Sequence, residues 1–150
     1  MKKILTTAMM TSISEVMETM FFLPIEFGEE STMGQSGIDV TAPILASQLK
    51  FTGDISGSLY ILAPKDLAGE MAENFMGESL ENLTPEHLDG TLTEMLNMVC
   101  GNALRKIEAK TPFELGIPKI IDGSKGFEKQ VFRIVETTES KMAILLTMDE

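Results

Sequence analysis

At 150 residues, 43% apolar and 23% charged, the chain has the size and composition of one folded domain over residues 1–150, with no low-complexity tract to leave it disordered. Twenty-three acidic residues against twelve basic ones give a net charge of −11, which argues against a nucleic-acid backbone or an anionic membrane surface as partner. Cys100 is the only cysteine and His87 the only histidine, so a disulfide framework, a cysteine zinc cage and a histidine metal cluster are excluded, and the cytoplasm is the simplest location.

The opening MKKILTTAMMTSIS imitates the charged and apolar regions of a signal peptide, but Thr6, Thr7, Thr11 and Ser12 dilute its apolar run. Met9, Ile13, Val16, Met17 and Met20 instead recur at helical spacing, which predicts a helix over 9–22 stopped by Pro24. Most of its methionines fall on the core face, so core filling suits them better than an adaptable binding surface. Residues 26–37 are rich in Gly, Glu and Ser and read as a loop. Residues 38–51 read as extended, and Gly53 and Gly57 then mark a hairpin whose second strand covers 58–63. Pro64 suits the first turn of a second helix, with Leu67, Met71 and Phe75 on one face and Gly77 as its end signal. Thr84 followed by Pro85 opens a third helix whose apolar pattern persists to Ile107. Residues 112–126 read as a loop, and 127–135 with 141–148 as a terminal hairpin that offers the sheet a free edge. No segment is long and apolar enough to span a bilayer.

One recurrence spans the chain. Ser14 and Glu18 followed by Pro43 are echoed by Gly90 and Glu94 followed by Pro118, about 75 residues on and in the same order of helix, loop and extended segment. The expected fold is therefore α+β, built of duplicated α-β-β units that form a layered mixed sheet packed by helices.

The third helix carries the candidate chemistry. Wound at about 100° per residue, it puts Leu92, Leu96, Val99, Ala103 and Ile107 on one face, with Cys100 at the edge. Gly90, Glu94, Asn97, Gly101, Arg105 and Glu108 gather opposite, so Glu94 and Asn97 lie one turn apart and project together. A merely solvated face would look similar. Asn is nevertheless a poor helix former, and Gly101 costs roughly 1 kcal/mol relative to Ala, as though bare backbone were needed for another protein to approach. Cys100 can be weighed as a nucleophile, but its core-edge position and the absence of a glycine-rich phosphate loop favour a buried structural thiol.

With these residues in place, the chain resembles the CheC/CheX/FliY chemotaxis phosphatase family, most closely its CheX-like branch. That family's helix signature is Ser or Asp, three residues, Glu, two residues, Asn, and a later proline; here the positions are Gly90, Glu94, Asn97 and Pro118. Gly90 departs from Ser or Asp, and the proline arrives slightly early. The segment FTGDISGSLYILAPKDLAGEMAENFMG is similar to the family's hairpin followed by helix.

The resemblance implies hydrolysis of the aspartyl phosphate on a CheY-like response regulator. Glu94 would dock on a lysine of the receiver, and Asn97 would orient the attacking water. No cofactor is expected on this chain, and Mg²⁺ is expected in the receiver's site. Gly90, Gly101 and Arg105 would complete the docking face, and a homodimer would form through sheet edges. The first helix would hold a degenerate second site, since Ser14 and Glu18 are kept while Phe21 stands where Asn would fall. Two other readings stand beside this one: a non-catalytic module that docks on receivers or flagellar-switch components, and an unrelated ligand-binding domain.

Overall fold

The computed structural model describes residues 2–123 and 126–149; residues 124–125, within the expected loop, lie outside the described residues. In chain order the elements are α1 (Lys2–Met20), β1 (Glu26–Ser31), β2 (Ile44–Thr52), β3 (Gly57–Pro64), α2 (Lys65–Met76), α3 (Pro85–Arg105), β4 (Glu114–Leu115), β5 (Lys119–Ile121), β6 (Phe132–Glu136) and β7 (Lys141–Met148). The strands form one seven-stranded sheet in the order β1-β6-β7-β3-β2-β4, with β5 also on β2. Every strand pairing among the described residues is antiparallel, where a mixed sheet was expected, because neighbouring strands here are joined by hairpins or by long returns that reverse the chain.

Exchanging β1, β2 and β3 for β5, β6 and β7 reads the order β1-β6-β7-β3-β2-β5 backwards, so the sheet has a pseudo-two-fold axis between β3 and β7. Helices α1 and α3 open the two halves and pack against each other, whereas α2 has no counterpart. The duplication is thus present, but the prolines do not take part in it. Pro43 precedes β2, while Pro118 precedes β5, which is the counterpart of β1.

The terminal hairpin also lies elsewhere than expected. It supplies no edge: β6 is covered by β1 and β7 by β3, so the edges are β1 on one side and the short β4 and β5 on the other.

Both faces of the sheet are buried, which explains the unbroken apolar run of β3. Leu59, Ile61 and Ala63 point to the helices, with Leu49, Phe51, Val135, Met142 and Ile144 beside them. Leu62 joins Ala46, Phe132, Ile134 and Ala143 in a second core on the far face, roofed by Met33, Ile38 and Phe127.

The helix ends follow from local chemistry. Gly77 closes α2 in the left-handed conformation at φ 67° and donates its N–H to the Glu73 carbonyl at 2.9 Å. At the start of α3, Thr84 N donates to His87 Nδ1 at 2.9 Å, and His87 N donates to Thr84 Oγ1 at 3.4 Å. The lone histidine therefore closes a reciprocal cap and fixes where α3 begins.

Candidate functional site

Helix α3 lies against α1, α2 and the β2–β3 part of the sheet. Leu88, Leu92, Met95, Leu96, Val99, Cys100 and Ala103 are buried on its inner side. This apolar stripe sets the rotation of the helix, and the rotation leaves Gly90, Glu94 and Arg105 exposed and Asn97 and Gly101 half-buried on the outer side. All five residues of the expected docking face are thus brought together on one surface.

Among the described residues, neither the Glu94 carboxylate nor the Asn97 carboxamide has a hydrogen-bond or ion-pair partner within the chain. A half-buried amide with its donors and acceptor uncommitted is poised to bind something from outside. Gly90 sits in open space, since a Cβ added there would meet no atom within 4 Å. At Gly101 an added Cβ would meet only Leu115 Cδ1, at 4.0 Å. The fold itself therefore requires a glycine at neither position.

An anchoring arrangement absent from the sequence reading joins the two symmetry-related helices. The Glu15 carboxylate of α1 accepts from Asn102 Nδ2 at 2.8 Å and from Lys106 Nζ at 3.1 Å, both near the C-terminal end of α3. The Asn102 hydrogen bond first, and Lys106 second, hold the Glu15 carboxyl below its ordinary range. The only sequence signal was a set of three polar residues at the inner margins of two amphipathic helices, and it acquires meaning once the helices are known to touch.

On α1, Ser14 is half-buried and Glu18 exposed, and both line a shallow cavity of about 460 Å³ with Glu15 and Phe27. The position three residues after Glu18 is Phe21. Phe21 lies beyond the end of the helix, wholly buried, with its ring 5.3 Å from that of Phe75 and its carbonyl accepting from Asn74 Nδ2 at 2.7 Å.

Cys100 is fully buried, and burial pushes its thiol up to about 12. We expect no reaction of Cys100 with an aromatic disulfide reagent at pH 8 until denaturant unfolds the chain; rapid labelling of the folded protein would mean that the thiol is accessible. No three His, Cys, Asp or Glu side chains among the described residues are grouped so as to hold a metal ion. None of the described helices is long and apolar enough to cross a membrane.

The fold is similar to that of CheX from Vibrio vulnificus, at 20% identity and a TM-score of 0.76 over 97% of this chain and 96% of that one. It is likewise similar to a chain of the CheX-CheY-BeF3-Mg²⁺ complex from Borrelia burgdorferi, at 18% identity and a TM-score of 0.77 over 97% of each chain. A CheC-like superfamily protein from Shewanella sp. PV-4 matches over the full length of both chains, at 17% identity and a TM-score of 0.75. No curated protein sequence matches the chain. The family model described as chemotaxis phosphatase CheX matches residues 45–134, a span that runs from β2 into β6 and contains the whole of α3 with Glu94 and Asn97. Together with the symmetric sheet, that match settles the family: the chain belongs to the chemotaxis phosphatase CheX family.

Proposed function

We propose that the chain, acting as one domain, hydrolyses the aspartyl phosphate of a CheY-like response regulator in a two-component pathway. The observation that carries the reading is Asn97, half-buried on the outer face of α3, without a hydrogen-bond partner among the described residues and one turn from the exposed Glu94. Two further findings support it: the family is described as a phosphatase, and a structural relative is found in a complex with CheY, BeF3 and Mg²⁺.

The chemistry asks little of this chain. An acyl phosphate is intrinsically reactive, and the receiver brings its own Mg²⁺ and charge-stabilising groups, so what is missing is a water held in line with the scissile bond. A carboxamide can accept from that water through its oxygen and donate through its nitrogen, which fixes the water's position and orientation. Accelerating the reaction about a hundredfold requires lowering the barrier by about 2.7 kcal/mol, within reach of one positioned amide. No covalent intermediate on this chain is needed, and the buried thiol of Cys100 takes no part.

Glu94, exposed beside Asn97, supplies the docking charge toward a receiver lysine. Truncating Glu94 to Ala should raise KM for the phosphorylated receiver about tenfold while leaving kcat within about twofold, because it removes a contact made equally in ground and transition states. Steady-state dephosphorylation across a range of receiver concentrations reads this directly. A loss confined to kcat would assign Glu94 to the chemistry instead.

Gly90, which stands where the family pattern has Ser or Asp, favours the second reading, in which the same face docks on a receiver without turnover. The experiment that separates the two readings is the decay of phosphorylated receiver in the presence of catalytic amounts of the chain. Pairing into a homodimer would use the free edges, and the β4–β5 side, with Ile117 and Ile120 exposed, is the more apolar of the two.

A further inference from the structure

At Gly101 and Arg105, a cavity of about 470 Å³ opens between the C-terminal end of α3 and the segment that leads into β4. Its floor is Gly101, Leu104 and Ile107, and its far wall is Phe113 and Leu115. The charged residues that line it, Arg105 and Lys110, are both cations, in a chain whose net charge is −11. Among the described residues neither is engaged in an ion pair.

The wall is built rather than incidental. The Asp54 carboxylate in the β2–β3 turn accepts from Lys110 N at 2.7 Å and Thr111 N at 3.2 Å. The Phe113 ring lies on Gly53, where any Cβ would come within 2.6 Å of it. Leu115 is paired in the sheet opposite Phe51, and Gly116 N donates to the Lys50 carbonyl at 2.7 Å. A pocket held open by the sheet in this way binds without the cost of ordering its own wall. It also explains Gly101, which the packing of the chain does not require: a bare backbone there keeps the floor open on the same face that presents Asn97.

We propose that this pocket is the specificity anchor for the receiver, taking an apolar side chain that has a carboxylate close beside it on the receiver's surface. The apolar group fills the space over Gly101, and the carboxylate lies between Arg105 and Lys110. This rests on the reading of α3 as the receiver-docking helix, and it adds what that reading lacks, namely which feature of a receiver is selected.

The test uses the full chain and its Mg²⁺-bound, acetyl-phosphate-phosphorylated receivers. Gly101→Leu fills the pocket, and the double substitution Arg105→Glu with Lys110→Glu inverts its rim. Each should raise KM about tenfold with kcat within about twofold, as expected for loss of an interface anchor. The rim variant should lose most at low salt, and thermal unfolding should show both variants folded. Unchanged KM in both variants, with wild type active, would overturn the pocket and confine the docking reading to Glu94 and Asn97. If Gly101→Leu does not fold, the exposed rim variant decides alone. Should wild type fail to accelerate decay at all, the phosphatase reading falls separately; the pocket is then judged by binding of the beryllofluoride-activated receiver, where equal affinity of wild type and rim variant would overturn it.

Discussion

Replacing Asn97 with Ala should abolish the acceleration of receiver dephosphorylation, a fall in kcat of about a hundredfold, while affinity for the receiver changes less than about threefold. The asymmetry follows from what the side chain touches. The Asn97 side chain makes no hydrogen bond among the described residues, so its removal leaves no orphaned partner there, and the apolar stripe of α3 that sets the helix rotation is untouched. What is lost is the group that would hold water in line with the phosphoryl bond, an interaction present only when the reaction proceeds. Single-turnover decay of phosphorylated receiver, measured beside binding of its beryllofluoride-activated form, separates the two quantities. Equal turnover by wild type and Asn97→Ala would remove the water-positioning role.

Substituting Phe21 with Asn should not create a second site, and should destabilise the fold by about 3–5 kcal/mol, the usual cost of deleting a buried phenyl group, increased by burying an amide. The signature-based view suggests the opposite, because it needs only an asparagine after Ser14 and Glu18. In the structure position 21 lies past the last residue of α1, has no exposed surface and packs its ring on Phe75. An amide there would face the core and leave any docked receiver out of reach. Chemical denaturation should show the loss as a lower midpoint. A stable Phe21→Asn protein with doubled turnover would show instead that the first unit retains a usable site.

The three helices and the two long hairpins were legible because each buries a stripe, and burial writes a period into the sequence, although α1 begins at Lys2 rather than at 9 and β6 at Phe132 rather than at 127. Thr84, Pro85 and Gly77 marked helix ends for reasons that hold locally, so those boundaries survive to within a residue or two. β1 escaped because EFGEES is an edge strand with no fully buried residue and a glycine, composed like a loop. β5, three residues long, is too short to show any period. The extended reading of 38–51 began too early, since Ile38 turns down to roof the second core before β2 starts at Ile44.

The position of the terminal hairpin in the sheet could not be read locally either, because it depends on β1 and β3 arriving from the other half of the chain. In the site, the shared outward face of Glu94 and Asn97 was geometry that one helix could reveal. The Glu15–Asn102 link and the pocket wall at Phe113 and Leu115 were hidden because each joins segments far apart in sequence, through packing that no local pattern records.

The most direct measurement is the rate at which a Mg²⁺-bound, phosphorylated cognate receiver loses its phosphate when the wild-type chain is present at a small fraction of its concentration. The account predicts many turnovers per chain and a first-order decay whose rate constant rises in proportion to the amount added. Decay at the spontaneous rate with every cognate receiver, despite measurable binding, would contradict it and leave a docking module in place of an enzyme.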